Sequence, residues 1–274
     1  MKADFTPQVK ALIVDMDGVI WRGEQPIGDI PGAMDHLKKM GYQVVFATNN
    51  STRTPEMYVE RFKKFGVVLE ENQIITSAMA CAYLLAKHFP SGGPVHIVGE
   101  AGLRQALQAR GFYHADENVI AVVVGMDREA NYRMLTKACL LIRKGAPFFA
   151  TNPDKTFPLE SGIGPGAGSL LALIETATDQ HPIVAGKPFP FMMEMALEEL
   201  DLQPREALVV GDRLDTDISG GQNAGCRTAL VLSGISTLEE AQRFEPVPDL
   251  IVDDLVSLAF NILPAVSQAA HKGG

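Results

Sequence analysis

The sequence predicts an α/β fold built on parallel sheet. Three observations carry this expectation. Short β-branched, apolar runs recur along all 274 residues. Helical patterns fill the intervals between them. The runs are continuously apolar rather than alternating, as strands covered on both faces are.

The elements are expected in this order. The run "ALIVD" at 11–15 is the first strand and 31–40 the first helix. "QVVFAT" at 43–48 is the second strand, followed by helical patterns at 55–65 and 77–88. "VHIV" at 95–98 precedes a helix at 101–110, and "IAVVV" at 120–124 precedes one at 131–144. "PFFAT" at 147–151 and "IVA" at 183–185 are followed by helices at 168–178 and 188–200. "ALVVG" at 207–211, "TALVL" at 228–232 and "LIV" at 250–252 complete the strands, with helices at 217–224 and 237–243 between them.

Sheets of this kind bind ligands beyond the carboxyl ends of their strands, where strand order reverses. Four strand ends carry reactive side chains: Asp15-Met16-Asp17, Thr48-Asn49-Asn50-Ser51, Gly186-Lys187-Pro188, and Gly211-Asp212 with Asp217 five residues on. Singly, each has an ordinary reading. An acid after a strand can be a solvated carboxylate or a helix cap, "TNNS" can be an N-cap cluster, and Lys187 can be a surface lysine. All four together, each at a strand end, are harder to explain as ordinary loops. Acids are rarely buried unless paired or holding a metal.

Composition narrows the function. With 33 acids against 24 bases the net charge is −9, which argues against a nucleic-acid polymer or an anionic membrane as partner. No apolar run is long enough to span a membrane, and "MKADFTPQVK" lacks the apolar core of a signal peptide. Cys81, Cys139 and Cys226 lie far apart with no metal-ligand spacing, as expected for reduced thiols in the cytoplasm.

The motifs "DMDGV", "TNNS", "GKP" and "GDRLDTDI" resemble those of the haloacid dehalogenase superfamily of phosphohydrolases. Within it, "VGEAGL", "TNPDKTFPLESGIGPGAGSL" and "AGKPFPFM" are similar to the NagD/4-nitrophenylphosphatase group, and the likeness runs over roughly 10–262. This resemblance implies a doubly wound, Rossmann-like core at 1–78 plus 184–274 and an inserted α/β cap domain of class IIA at 79–183. The inserted stretch has its own strand–helix alternation and is long enough for a small domain. Caps of this type often pair, which leaves a homodimer through that segment open.

The resemblance also implies the chemistry. Asp15 is the nucleophile that forms an aspartyl-phosphate, and Asp17 is the acid/base for the leaving group and the water. Dehalogenases of the superfamily do not carry the second aspartate, so "DMD" favours phosphoryl chemistry. Thr48, with Asn49, Asn50 and Ser51, binds and orients phosphate and substrate, and Lys187 neutralises developing charge. Mg²⁺ is the implied cofactor. Its ligands are the Asp15 carboxylate, the Asp17 carbonyl and the Asp212 carboxylate, with Asp217 supporting them. The reaction expected is hydrolysis of a small phosphorylated metabolite, such as a sugar phosphate or nucleoside monophosphate. A non-catalytic phosphometabolite-binding protein of the same fold is the alternative.

Two other stretches invite attention. "GIGPGAGSLLALIE" is glycine-rich and opens a helix, but it matches neither dinucleotide-binding nor P-loop spacing. The resemblance places it in the cap and points to 152–159, with the Phe157 ring, as a specificity element. "FMMEM" at 191–195 is read as core packing. The six histidines are scattered and receive no role.

Overall fold

A computed structural model describes residues 8–159 and 162–263; the side chains of Pro158 and Leu159 lie outside that description. The expectations for the N-terminal segment and for 160–161 therefore fall outside the described residues, as do the last residues of the expected core. The chain divides into two compact units. One lies within Met1–Thr48, Val59–Ile75 and Pro188–Gly274, the other within Asn49–Tyr58 and Thr76–Lys187.

The first unit is built on a six-stranded sheet. Across it run Leu250–Val252, Arg227–Val231, Ala207–Gly211, Ala11–Val14, Gln43–Thr48 and Ile74–Thr76. Ala11–Val14 pairs in parallel with Gln43–Thr48 on one side and Ala207–Gly211 on the other. The chain therefore leaves its first strand in one direction and returns on the other side of it. The reversal of strand order lies between Ala11–Val14 and Ala207–Gly211, where ligands bind in such sheets. Ala11–Val14 and Ala207–Gly211 are buried at every residue, which explains their unbroken apolar sequence.

The second unit has its own five-stranded parallel sheet, in the order Ile183–Val184, Phe148–Ala150, Ala121–Val124, Gly93–Val98 and Phe112–His114. Its core packs Val98, Val122, Val124 and Phe148 against Leu135, Ala138 and Ile142 of helix Tyr132–Arg143 and Leu171 and Ile174 of helix Ala167–Thr178. Asn131 starts the former helix by accepting a hydrogen bond from the Met134 N–H at 3.2 Å. Asp179 ends the latter in a left-handed conformation.

Several boundaries differ from expectation. The helix expected from 188 begins at Phe191, because Pro188 and Pro190 keep the preceding turn out of the helix. The helix expected at 217–224 is two pieces, a π-helical turn Leu214–Ile218 and a short helix Ser219–Asn223. Unexpected strands are Ile74–Thr76, Phe112–His114 and the hairpins Trp21–Arg22/Gln25–Pro26 and Thr156–Leu159/Gly162–Pro165. Each is too short to show a period. The helical segment after Asp254 was likewise not expected. Among the described residues no helix is long and apolar enough to cross a membrane. Cys81 and Cys226 are buried and Cys139 half-buried, all three as free thiols.

Candidate active site

Asp15 and Asp212 follow directly on the two neighbouring strands at the reversal point. Their strands are in register, Val14 beside Val210, and the Asp15 N–H donates to the Val210 carbonyl at 2.8 Å. The sheet therefore delivers both carboxylates to one edge. Asp217 joins them from the π-helical turn, and the carboxylate oxygens of Asp15, Asp212 and Asp217 lie within 4.8 Å of one another. Asp212 and Asp217 are buried.

Fixed partners hold the acids. The Ile235 N–H donates to Asp212 Oδ2 at 2.9 Å, and the Arg213 N–H donates to Asp217 Oδ2 at 3.1 Å. Two glycines leave room for Asp212: a Cβ on Gly18 would stand 2.4 Å from its Oδ2, and one on Gly234 would stand 1.9 Å away. Gly18 also sits at φ +82°, which favours glycine. The turn after Asp15 closes through hydrogen bonds from Ile20 N–H to Met16 O and from Gly18 N–H to Trp21 O, both 2.8 Å. Asp17 is exposed, and its Oδ1 accepts from the Trp21 indole N–H at 2.8 Å.

Three carboxylates this close repel one another, by about 4 kcal/mol per pair at an effective dielectric near 20. Hard-oxygen donors in such a group, two of them buried and Asp15 half-buried, fit a divalent cation, whose charge would cancel that repulsion. The donor set therefore suits the metal that the sequence implies.

In the second unit, Asn49 and Lys187 are brought together. The Lys187 N–H donates to Asn49 Oδ1 at 2.8 Å, and Asn49 Nδ2 donates to the Lys187 carbonyl at 2.9 Å. The same Nδ2 donates to Asp154 Oδ2 at 2.8 Å, and so does Asn152 Nδ2. Asn50 takes a different part, accepting from the N–H and hydroxyl of Thr52. Ser51 is buried and accepts from the Thr151 hydroxyl at 3.2 Å. Thr48 and Lys187 are also buried.

The glycine-rich stretch has a packing role. A Cβ on Gly166 would stand 2.4 Å from the Asp154 carbonyl oxygen, and one on Gly168 would stand 2.3 Å from that of Pro153. These glycines let helix Ala167–Thr178 approach the 152–155 loop, which leads into the hairpin bearing Phe157.

Sequence reading missed Trp21, the Ser233–Ile235 turn and, within the 152–159 stretch it singled out, the pairing of Asp154 with Asn49. Ser233 donates to the Gly18 carbonyl at 2.7 Å. This turn follows strand Arg227–Val231, so the strand-end rule would have found it. The Asn49–Asp154 pair spans 105 positions and leaves no local trace.

Two of the scattered histidines also meet. The ligating atoms of His96, His114 and Asp116 lie within 4.8 Å of one another in the second unit. The Ile97 N–H donates to His114 Nδ1 at 3.1 Å, so a neutral His114 carries its proton on Nε2, the atom facing Asp116. That nitrogen is a donor and not a metal ligand.

Comparison with known proteins agrees with this geometry. A haloacid dehalogenase-like hydrolase family model matches residues 12–113, and a HAD-hydrolase-like model matches 184–258. The chain is 37% identical over 249 residues to an acid sugar phosphatase of Staphylococcus aureus, covering 90% of this chain and 96% of that protein. Among solved structures, the 4-nitrophenylphosphatase of Thermotoga maritima superposes with a TM-score of 0.87 at 33% identity, covering 93% of this chain and 98% of that one. NagD from E. coli K-12 superposes with a TM-score of 0.85 at 33% identity, covering 90% and 97%. The chain belongs to the haloacid dehalogenase-like hydrolases, in the NagD/4-nitrophenylphosphatase group, and is a phosphatase of that type.

Proposed function

We propose that this protein hydrolyses small phosphorylated metabolites, sugar phosphates foremost, through an aspartyl-phosphate on Asp15 with Mg²⁺ as its metal. The observation that carries this reading is the meeting of Asp15, Asp212 and Asp217 at the point where the sheet reverses. The sugar phosphate preference is supported by the name of the Staphylococcus relative.

In this reading Asp15 attacks phosphorus with one carboxylate oxygen as the bond to the leaving oxygen breaks. Asp17 gives its proton to that oxygen, then takes one from the water that hydrolyses the acyl phosphate. Thr48 and the N–H groups of Asn49 and Asn50 bind phosphoryl oxygens, Ser51 orients their loop, and Lys187 offsets the growing charge. The metal would be held by Asp15, the Asp17 carbonyl and Asp212, supported by Asp217. It supplies charge neutralisation for the phosphoryl group. Its hard-oxygen donor set and phosphate substrate favour Mg²⁺.

The second sheet and its helices serve as the substrate-selecting cap; the expected limits of that cap, 79–183, lie inside the second unit. Exposed Tyr132, Leu140 and Leu173 on its helices support pairing of two copies through this unit. The three free thiols fit work in the cytoplasm.

The test is release of phosphate from a sugar phosphate and from p-nitrophenyl phosphate after removal of metal. We expect activity to vanish with EDTA and to return with added Mg²⁺. Turnover that persists in EDTA would overturn the metal assignment, and tight binding of the esters without phosphate release would make the protein a binder.

A further inference from the structure

We propose that Trp21 is the positioning residue of Asp17 and that its indole decides which carboxyl oxygen carries the catalytic proton. This rests on the reading of Asp17 as the acid/base. Trp21 Nε1 stands 2.8 Å from Asp17 Oδ1, and this is the one hydrogen bond of the Asp17 carboxyl among the described residues. An indole N–H only donates. Oδ1 is therefore the oxygen held as acceptor, and Oδ2 is the one assigned the proton.

The indole is itself immobile. Trp21 is fully buried, with its ring edge-on to Phe62 at 4.9 Å between centroids. The Arg61 guanidinium lies over the ring face, 4.0 Å from the centroid, and also donates to the Gly23 carbonyl. Trp21 pairs with Pro26 in the hairpin, and its carbonyl accepts from Gly18 N–H, closing the turn that follows Asp17. A rigid buried donor thus holds an exposed carboxyl in one orientation. Without that bond Asp17 would sample several rotamers, most of them turning Oδ2 away from the orientation the indole fixes.

The step affected is proton delivery. As Asp15 bonds to phosphorus and the P–O bond to the leaving group breaks, the electron pair stays on the leaving oxygen and the Oδ2 proton joins it. An alkoxide needs that proton; p-nitrophenolate leaves adequately without it.

The chain has a single tryptophan, so supplying benzothienylalanine in place of tryptophan replaces one N–H by sulfur and leaves the ring shape intact. The kcat/KM values for glycerol phosphate and p-nitrophenyl phosphate would be compared in wild type, the analogue protein, Trp21→Phe and Asp17→Asn. This ratio reports steps up to departure of the leaving group. We expect the analogue and Trp21→Phe to lose about 10- to 100-fold on glycerol phosphate and less than about 3-fold on p-nitrophenyl phosphate. Equal losses on both substrates, or none, would overturn the role of Trp21, and Trp21→Phe decides the matter if the analogue folds poorly. An inactive wild type, or an Asp17→Asn variant without the same substrate bias, would instead count against the proposed function.

Discussion

Asn49 holds the main chain of Lys187 from both sides. Its Oδ1 accepts from the Lys187 N–H at 2.8 Å and its Nδ2 donates to the Lys187 carbonyl at 2.9 Å. Side chain and peptide thus form a closed pair of hydrogen bonds across 138 positions, and Asp154 takes a third bond from the same amide. The stretch proposed to bind phosphate therefore also fixes the backbone of Lys187.

Removing this clamp should damage catalysis more than stability. We expect Asn49→Ala to lower kcat on p-nitrophenyl phosphate by about 10- to 100-fold, because misplacement of a catalytic group is costly. The unpaired backbone groups should cost about 1–3 kcal/mol. Asn49→Asp keeps the acceptor but sets a second carboxylate against Asp154, and should be at least as impaired. Steady-state kinetics beside thermal melts decide this; unchanged kcat in Asn49→Ala would separate the clamp from the chemistry.

The space around Asp212 gives a second expectation. A methyl group at Gly234 would overlap its Oδ2, so Gly234→Ala must move the carboxylate. The same methyl would stand 2.3 Å from the Asp212 Cβ, which only a backbone shift relieves, so we expect a Mg²⁺ requirement raised by about 10-fold or more together with a lower melting temperature. Gly18→Ala meets the same oxygen and adds backbone strain at φ +82°, so it should lose both metal affinity and about 1 kcal/mol or more of stability. Titration of activity with Mg²⁺, read with the melting temperature, distinguishes the two. An unchanged Mg²⁺ requirement in both variants would contradict the account.

The thiols should report the cores of the two units. Burial pushes the Cys81 and Cys226 thiols up to about 12, so neither forms thiolate at neutral pH. Half-buried Cys139, also raised by burial, is the accessible one. Labelling the native protein with a thiol-specific disulfide reagent near neutral pH should modify Cys139 alone, with the other two reacting only on denaturation. Fast reaction of all three would show looser cores than described.

Acid should weaken the fold partly through His114. Burial holds its imidazole below the usual range, helped by charge from His96 and Arg104 and partly offset by Asp116. The folded state thus prefers the neutral ring, as the Ile97 N–H to Nδ1 bond also requires. This contribution is fully present above the ordinary pKa of about 6.5 and is lost as pH falls through the lower, folded-state value. Between about pH 7.5 and about pH 5, the melting temperature of wild type should fall further than that of His114→Gln. Parallel curves would show that His114 has no part in the acid response.

Much of this was legible in the sequence, for a physical reason. Strands such as Ala207–Gly211 are buried on both faces, so their apolar runs end where the polar edge begins. Asp15, Asp212 and Thr48 stand out for that reason. Trp21 did not, because a buried aromatic beside a strand reads as core, and it is core; only the direction of its N–H reveals a second use. The bond of Asp154 to Asn49 was hidden for another reason, since its partner belongs to a loop 105 positions away. The glycine-rich stretch matched no phosphate-binding spacing, and what Gly166 and Gly168 accommodate is the backbone of the 153–154 turn.

The most direct measurement is phosphate release from p-nitrophenyl phosphate by wild type and Asp15→Asn, side by side with Mg²⁺ present and with melting curves for both. We expect the variant to melt like wild type and to lose turnover by about a thousandfold or more, as removal of a nucleophile does. A folded Asp15→Asn protein that turns over at the wild-type rate would contradict Asp15 as the attacking group.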